Sequence, residues 1–510
     1  MSETIILRCD YFHGSGVGHI KRTGILASAL KIRGFKPILL IDDTPLEIPV
    51  FLDVECEKLY IKEFDELKDA DLVVQFATLH HANFVIVDSY RITSKWINRI
   101  KENNIKVFLI DDMNIHSCAD LSVNYTPINK IDKTILMPNQ LRGPKFFITD
   151  SKKCQTKENS PKKIIAHVGG NGDYSKARNI FSNLAYISDK ESMDVDWICT
   201  DPSSVRSLKA IVNLNANDKI LFWAKDSSTL WSNYQIVVGP ASTSLYEAII
   251  QGALPISFAI SNTQSTELKD WLSIGHTLHI PNHEKENSIY INLILKLAIS
   301  QYRYFIDTLK EFSKDLDGEG VSRVVDAINL YVNKSENGLE ITESKYYERG
   351  VLKCNIYNAQ SFLIARNAKE VREMSTDPNH IITWPEHLRW WINNKIDKYL
   401  FLGNSNTPEA YFWVKRWEIN NKKYLTAGWF PSTENTPFTS ILKILDWQIK
   451  YYSNNCAGYI WVATVKNDNK TAIALNLRVG FVVASKETYS VLPILFPGTD
   501  NSFKIFELKL

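Results

Sequence analysis

The sequence lacks the residue patterns that mark disulfide-rich and metal-binding proteins. Its seven cysteines, at positions 9, 56, 118, 154, 199, 354 and 456, are odd in number and scattered, and no two form a Cys-x-x-Cys pair. Histidines 80 and 81 are adjacent, which is not the spacing of two metal ligands on one helix. We therefore expect reduced thiols, no disulfide framework and no bound metal.

The chain also lacks a strong charge of either sign and any long apolar run. Its formal net charge is +2 over 510 residues, which gives no electrostatic reason to expect nucleic acid or an anionic membrane as a partner. No apolar stretch approaches the roughly 20 residues of a membrane helix. The first residues lead into a strand without the regions of a signal peptide. These absences predict a cytoplasmic protein.

A chain of 510 residues is too long for one hydrophobic core. Up to residue 330, short apolar runs such as 37–41, 84–87 and 106–110 alternate with helical segments, as in buried parallel sheets. The polar stretch 150–163 interrupts this alternation, which resumes at residue 164. We predict an α/β fold that begins with two Rossmann-like lobes, 1–155 and 156–335.

A polar linker from residue 332 to about 350 precedes a segment of different composition. Eight of the chain's thirteen tryptophans follow it, at positions 384, 390, 391, 413, 417, 429, 447 and 461. Such a shift predicts a third domain, 351–510, with its own core.

The most informative position is His19. It follows an apolar strand (5–7) and a loop that contains Gly16 and Gly18, and it stands at the start of a helix. Ligands of open α/β sheets bind at the carboxyl ends of the strands, where glycines let the backbone come close to a ligand. An imidazole at this edge can transfer protons near neutral pH. A histidine that only caps the turn is the alternative.

Two loops of the second lobe are suited to a nucleotide. Gly170 and Asn171 follow an apolar strand, so that their backbone amides can meet a phosphate. Ser242 or Thr243 caps a helix whose first N–H groups form a diphosphate site. One turn further on, the Glu247 carboxylate can accept hydrogen bonds from both ribose hydroxyls, or it can simply interact with the helix dipole.

Several sequence blocks occur in the order found in one family. They are Arg8-Cys9-Asp10, the Gly16–Arg22 motif, and segments 85–90, 108–112, 168–171, 241–248 and 262–266. Together they resemble the UDP-sugar hydrolases of pseudaminic acid biosynthesis, which act on UDP-2,4-diacetamido-2,4,6-trideoxy-β-L-altropyranose. These enzymes are GT-B relatives of the UDP-GlcNAc-using transferase of peptidoglycan synthesis. The resemblance covers residues 1–330 and implies a GT-B fold and a UDP-activated acetamido trideoxy sugar as substrate.

The resemblance also implies roles for individual residues. His19 would position or activate the water that attacks C1, with inversion, and Glu247 would contact the ribose. Asp10 would orient the imidazole, contact the sugar or cap the loop. Arg22 would be either a substrate ligand or a solvated salt-bridge partner. The other implied substrate contacts are Gly16, Gly18, Tyr90, Gly170, Asn171, Ser242, Thr243, Gln264 and Ser265.

Residues 351–510 resemble the GNAT superfamily of acyl-CoA N-acyltransferases, in particular members that acylate amino sugars. The matching blocks are 363–367, 380–391, 461–469 and 475–481. This resemblance implies an α+β domain that uses acetyl-CoA, bound at Phe438, Thr439 and Ser440 and at Asn469. Two features depart from the family. Segment 431–439 replaces its pyrophosphate loop without any glycine, and Asn476 takes the place of its frequent catalytic tyrosine.

The two resemblances together imply a bifunctional enzyme of pseudaminic-type nonulosonic acid biosynthesis. The third domain would N-acetylate a UDP-4-amino sugar, and the cleft between the lobes would then hydrolyse the product to release UDP. Two alternatives stay open. One is a GT-B glycosyltransferase with a degenerate third domain, and the other is a sugar-nucleotide-binding protein without catalysis.

Overall fold

The structure is a computed structural model. It describes residues 3–12, 15, 18–43, 55–59, 64–111, 119–127, 140–154, 163–169, 172–222, 229–260, 271–272, 274–333, 350–393, 395–403, 408–433 and 436–510. The chain divides into two compact units, Met1–Thr342 and Glu343–Leu510. This division falls in the polar segment between the second and third predicted domains.

The first lobe of the first unit is built on a parallel sheet. Within the described residues its strand order is β3-β2-β1-β4-β5-β6-β7. The strands are β1 (Thr4–Cys9), β2 (Lys36–Asp42), β3 (Glu55–Leu59), β4 (Phe84–Asp88), β5 (Lys106–Ile110), β6 (Leu121–Asn124) and β7 (Gln140–Arg142). All five residues of β4 are buried, because helices cover both faces of a parallel sheet, and this explains its unbroken apolar run.

The second lobe repeats the plan. In the described part of the chain its parallel sheet has the order β10-β9-β8-β11-β12-β13. The strands are β8 (Lys163–His167), β9 (Asp194–Cys199), β10 (Lys219–Phe222), β11 (Ile236–Pro240), β12 (Leu254–Phe258) and β13 (His279–Ile280). The central strands β11 and β12 are buried throughout.

Helices connect the strands of both lobes. Those of the first unit are α1 (Gly18–Ile32), α2 (Glu66–Leu79), α3 (Ser94–Lys101), α4 (Arg178–Lys190), α5 (Pro202–Lys209), α6 (Thr243–Ile250), α7 (Ser288–Ser300), α8 (Tyr302–Phe312) and α9 (Gly320–Asn333). Asp65 is the N-cap residue of helix α2, and its carboxylate accepts hydrogen bonds from the N–H groups of Leu67 and Lys68. Such a cap satisfies donors that have no partner inside the helix.

The last helix of the unit, α9, returns to the first lobe, although it lies within the range predicted for the second. Its Tyr331 ring is 6.3 Å from the ring of Phe84 in β4, and Asp326 forms an ion pair with Arg33 at the end of α1. At the start of α9, a Cβ added to Gly320 would lie 2.1 Å from the carbonyl oxygen of Phe147. Only glycine allows this close approach.

Both sheets of the first unit contain a point at which the strand order reverses. It lies between β1 and β4 in the first lobe and between β8 and β11 in the second. The connections after the two strands leave in opposite directions and open a crevice at their carboxyl ends, where α/β proteins bind ligands. Helix α1 follows β1 and helix α6 follows β11, so each begins beside such a crevice.

The second unit contains one mixed sheet with helices on its faces. Its strand order among the described residues is β14-β15-β16-β17-β18-β20-β19. The strands are β14 (Gly350–Lys353), β15 (Ile396–Leu402), β16 (Pro408–Ile419), β17 (Lys422–Pro431), β18 (Tyr459–Lys466), β19 (Val482–Val483) and β20 (Phe503–Lys509). The helices are α10 (Ala359–Arg366), α11 (Lys369–Glu373), α12 (Trp384–Trp391), α13 (Phe438–Asn455), α14 (Lys470–Arg478) and α15 (Lys486–Leu495).

The predicted fold class is confirmed: two Rossmann-like lobes precede an α+β unit built on a mixed sheet. In the part of the chain that the structure describes, no helix combines the length and the apolar character needed to cross a bilayer. The same described residues contain no group of three or more His, Cys, Asp or Glu side chains arranged to hold a metal ion.

Candidate functional site

His19 and Asp88 meet at the crevice of the first lobe. Asp88 ends β4, and His19 lies in the first turn of α1; their side chains are joined by a 2.7 Å contact between His19 Nδ1 and Asp88 Oδ1. Arg22 Nη2, which only donates, lies 3.2 Å from the same Nδ1, but the contact with Asp88 is the shorter one. Since a carboxylate oxygen only accepts, the proton is assigned to Nδ1, which donates a hydrogen bond to Asp88. This tautomer leaves Nε2 as the basic nitrogen of the ring.

Arg22 and Thr23 also donate hydrogen bonds to the Asp88 carboxylate. They lie three and four positions after His19, so α1 presents all three side chains to the same carboxylate. Arg22 donates to both Asp88 oxygens, and the Thr23 hydroxyl donates to Oδ2 at 3.2 Å. Burial alone would raise the pKa of the Asp88 carboxyl, but the Arg22 guanidinium and the His19 ring beside it hold that pKa well below its usual range. Asp88 is therefore ionised.

The structure corrects one interpretation of Arg22. Its side chain is buried, not solvated, and besides Asp88 it donates to the hydroxyl of Tyr125. An arginine that is enclosed in this way fixes the carboxylate that orients His19. The implied role of Arg22 as a direct substrate ligand stays a prediction.

Tyr90 lies beside the imidazole. The two ring centroids are 4.4 Å apart in an edge-to-face arrangement, and half of the Tyr90 side chain is exposed. An exposed aromatic ring next to the base can contact a sugar at the same crevice. The role of Tyr90 as a sugar contact stays a prediction.

Asp10 does not orient the imidazole, as one interpretation of the sequence had it, because Asp88 does. The Asp10 carboxylate is buried and accepts hydrogen bonds from the Tyr90 backbone N–H at 3.1 Å and from Arg91 at 2.7 Å. Arg91 also pairs with Asp42 at the end of β2. Asp10 thus ties together the loops that follow three strands, which makes it a positioning residue for Tyr90.

A second crevice carries Glu247 in α6. Its Oε1 accepts a 2.7 Å hydrogen bond from Lys21 Nζ, and its Oε2 accepts one of 3.3 Å from Trp231 Nε1. Lys21 belongs to α1 of the first lobe, so this ion pair joins the two crevices. Glu247 is buried, and its carboxylate is directed by these two donors and not only by the helix dipole.

The start of α6 has the predicted form. Ser242 is the N-cap residue and Thr243 is the first helical residue. The Ser242 hydroxyl contacts the Ser244 hydroxyl at 2.9 Å and makes no side-chain capping bond to the backbone. First-turn N–H groups at such a helix start favour an anion.

In this part of the second lobe, the backbone of β11 lies close to the ring of His167. A Cβ added to Gly239 in β11 would lie 2.1 Å from Nε2 of His167 in β8. The His167 ring is also 5.4 Å from the ring of Trp231, the partner of Glu247. Burial lowers the pKa of His167 to about 4, so the ring is neutral near pH 7.

Several predicted positions lie outside the described residues. They are Gly16, Gly170, Asn171, Gln264 and Ser265. Gly18 is described as the first residue of α1, and a Cβ added there would meet no atom of the described residues within 4 Å.

In the second unit, two of the predicted acyl-CoA contacts serve local structure. The Ser440 hydroxyl donates to the Glu409 carboxylate, and the Asn469 side chain caps α14 by accepting a 3.0 Å hydrogen bond from Ala472 N–H. Phe438 is half exposed at the start of α13, and Thr439 follows it. The role of all four residues in binding acyl-CoA stays a prediction.

The sheet of the second unit opens between its two parallel strands. The pairing of β17 with β18 covers Lys423–Thr426 and Tyr459–Val462. Strand β17 nevertheless continues to Pro431, paired with β16, and β18 continues to Lys466, paired with β20. The facing backbone edges of 427–431 and 463–466 are thus not paired with each other, and they form a gap in the middle of the sheet.

Sequence reasoning missed Asp88, Lys21 and Trp231 as parts of the site. Asp88 had a local signal, since it ends an apolar strand next to Tyr90. Lys21 stands in the His19 motif, but nothing local indicates that its partner is 226 positions away. Trp231 carries no motif at all.

The chain's sequence matches no protein-family model, and no curated protein matches it. Its structure is similar to S. aureus MnaA in complex with UDP, with 13% identity, 65% of this chain and 97% of that chain covered, and a TM-score of 0.48. It is similar to Acinetobacter baumannii MurG (12%, 64% and 99%, TM-score 0.47). It is also similar to UDP-GlcNAc 2-epimerase from Neisseria meningitidis bound to UDP-GlcNAc (9%, 64% and 99%, TM-score 0.43). Similarity at this level does not assign a function to the chain.

Proposed function

We propose that the first unit is an enzyme that hydrolyses a UDP-activated sugar. The observation that carries this proposal is the buried His19–Asp88 pair at 2.7 Å, which supplies an oriented base at one crevice. The ion pair of Lys21 with Glu247, also 2.7 Å long, joins that crevice to the start of α6. A nucleotide held at α6 would therefore present its sugar towards His19.

In the proposed reaction, a water oxygen attacks C1 of the sugar on the face opposite the UDP. Its proton passes to His19 Nε2, and the C1–O bond breaks with its electron pair remaining on UDP, so the configuration at C1 inverts. Asp88 stabilises the imidazolium that forms, as a buried carboxylate does for a catalytic histidine. His19 is the catalytic base, and Asp88 and Arg22 are positioning residues.

The nucleotide contacts follow from the second crevice. The first-turn N–H groups of α6, at Thr243 and Ser244, favour the diphosphate. The Glu247 carboxylate can accept hydrogen bonds from the ribose hydroxyls. The sugar itself, a 2,4-diacetamido-2,4,6-trideoxyhexose, is proposed from the motif resemblance, with Tyr90 beside the base as its contact.

UDP release from the UDP-diacetamido sugar, measured without any acceptor, tests this proposal. Wild-type protein is expected to release UDP, and His19→Ala should be slower by about 10²–10⁴-fold, the usual loss of a positioned base, while it still binds UDP. His80→Ala, at the end of α2, is the control. A near wild-type rate for His19→Ala would remove this residue from the mechanism. Release only after a sugar acceptor is added would favour the glycosyltransferase alternative.

For the second unit, we propose N-acylation of the amino group of a UDP-4-amino sugar. The gap between β17 and β18 supports this function, because unpaired backbone edges can hydrogen-bond the amides of an extended ligand. Acetyl-CoA, whose arm carries such amides, supplies the acyl group as a thioester. The N–H groups of Phe438 and Thr439 at the start of α13 suit its pyrophosphate. The two activities would then act in sequence on one sugar nucleotide.

Mass spectrometry of the sugar nucleotide tests the acylation separately. Full-length protein is incubated with the UDP-4-amino sugar and either acetyl-CoA or acetyl-N-acetylcysteamine, which lacks the pyrophosphate. We expect acetylated product. The preference for acetyl-CoA over the truncated donor should be smaller than in an enzyme that has a dedicated pyrophosphate loop. If acetyl-CoA gives neither product nor a thermal shift, the second unit has another role.

A further inference from the structure

Lys21 is paired with the Glu247 carboxylate, which the proposed function assigns to the ribose of the nucleotide. Its Nζ lies 2.7 Å from Glu247 Oε1, and Trp231 Nε1 holds Oε2 at 3.3 Å. Both carboxylate oxygens therefore already accept a hydrogen bond. If Glu247 binds the ribose, as the proposed function has it, the ribose hydroxyls compete with the Lys21 ammonium.

The position of Lys21 indicates where its ammonium can go. It stands two residues after His19 in the first turn of α1, and its side chain is about one-quarter exposed, so the flexible four-carbon stem has room to turn. A diphosphate lies between the ribose and the sugar in any UDP-sugar. Lys21 pairs with the carboxylate proposed for the ribose and belongs to the same first turn of α1 as the proposed base. A UDP-sugar that reached from Glu247 to His19 would therefore place its diphosphate near the start of α1.

We propose that Lys21 is a latch that exchanges partners. Without nucleotide it pairs with Glu247 and holds the two lobes of the first unit together. With UDP-sugar bound, it leaves Glu247 to the ribose and pairs with the diphosphate. The ammonium then stabilises the negative charge that develops on UDP as the C1–O bond breaks. Lys21 is thus a diphosphate ligand as well as the lobe contact seen here.

Comparing uridine with UDP isolates this role, and the comparison rests on the proposed function. Uridine offers the ribose but no diphosphate, so it competes with Lys21 and gains nothing from it. In Lys21→Gln, uridine affinity should rise or stay level, because the ribose carboxylate is released. UDP affinity should not rise with it, because a charged contact to the diphosphate is lost.

The measured quantity is the ratio of the uridine and UDP dissociation constants, obtained by calorimetry. Lys21→Gln should lower this ratio by about ten- to a hundredfold, the effect of one charge-assisted hydrogen bond, and should slow UDP release from the sugar nucleotide. Lys21→Arg keeps the charge, so its ratio should stay close to that of the wild-type protein. Lys95→Gln, on the exposed side of α3, should leave the ratio unchanged.

The outcomes separate the two proposals. If wild-type protein binds both ligands and Lys21→Gln has the wild-type ratio, the latch is wrong and the proposed function stands. If Lys21→Arg lowers the ratio as much as Lys21→Gln does, the charge of Lys21 is not the cause of the effect and the latch is again wrong. Wild-type protein that binds neither uridine nor UDP would overturn the proposed function itself. Thermal unfolding of each variant confirms that the measured protein is folded.

Discussion

The two units use their polar side chains in different ways. In the first unit, charged groups from distant parts of the chain meet at the crevices: His19 meets Asp88, and Lys21 meets Glu247. In the second unit, Ser440 donates to Glu409 of β16 and Asn469 caps α14, and the notable opening is lined by backbone. A site built from side chains can be recognised by a sequence motif, whereas a site built from diverging strands has almost no signal in the sequence. The comparison therefore separates a proposed site that depends on particular side chains from a proposed site that depends on sheet geometry.

The largest effect should come from Asp88, if the first unit depends on side-chain pairing. Asp88→Asn replaces the carboxylate that fixes the His19 tautomer, and UDP release should fall by about 10²–10⁴-fold, with UDP affinity retained. Asp71→Asn removes an exposed partner of Arg99 and is the control. A mutant with full turnover would show that the His19–Asp88 pair is structural, and the two units would then resemble each other.

Acidification should destabilise the first unit more than the second. Burial lowers the pKa of His167 to about 4, of His276 to about 3 and of His279 to about 4, whereas in the second unit it lowers that of His387 to about 3. Below pH 6.5 the unfolded chain binds protons that these folded rings do not, so stability is fully present above pH 6.5 and declines as the pH falls towards 4. Each ring contributes about 1.4 kcal/mol per pH unit.

Calorimetry of the full chain at pH 7, 6 and 5 checks this difference. The transition that UDP raises reports the first unit, and tryptophan fluorescence reports mainly the second, which holds eight of the thirteen tryptophans. We expect the UDP-sensitive transition to fall faster with acid. Equal decline of both transitions would mean that the buried histidines do not distinguish the units.

Nucleotide affinity gives a smaller effect. Glu247→Gln keeps the shape of the side chain but removes its charge, so UDP should bind about ten- to a hundredfold more weakly, the loss of a charge-assisted hydrogen bond. Glu286→Gln in the same lobe, whose carboxylate accepts from Asn179 near the surface, controls for a general change. Unchanged UDP affinity on titration would assign Glu247 to structure alone.

The smallest effect is expected at Asn469. Asn469→Ala removes the cap of α14 and should lower the stability of the second unit by about 1 kcal/mol. If the site for the acyl donor is made of backbone, acetyl-CoA affinity should hardly change. A large loss of acetyl-CoA binding together with a small loss of stability would restore Asn469 as a ligand contact.

Much of the first unit could be predicted because its local patterns agree with its fold. Unbroken apolar runs such as 84–87 predict buried parallel strands, and β4 is one. Ser242 was one of two expected caps of α6, and it is the N-cap. Such features depend on neighbouring residues, so a single sequence contains them.

The rest depends on contacts between residues far apart. One of three interpretations of Asp10, which is nearby in sequence, made it the orienting carboxylate of His19. That carboxylate is Asp88, brought alongside by the parallel pairing of β1 with β4. A solvated Arg22 was one of two interpretations, beside a substrate ligand, because its contact with Tyr125 has no local signal. The gap between β17 and β18 is set by where two strands separate, and no residue type encodes that point.

Helix α9 makes the first lobe discontinuous along the chain, and this has a consequence for synthesis. The sheet of that lobe ends at Arg142, but the helix that covers Phe84 and contacts Phe147 ends only at Asn333. At 5–20 residues per second, the ribosome needs roughly 10–40 s to make the intervening chain. The first lobe emerges before the second but is completed only after the second has been synthesised. Until then, the apolar surface around Phe84 lacks the helix that packs on it in the complete unit.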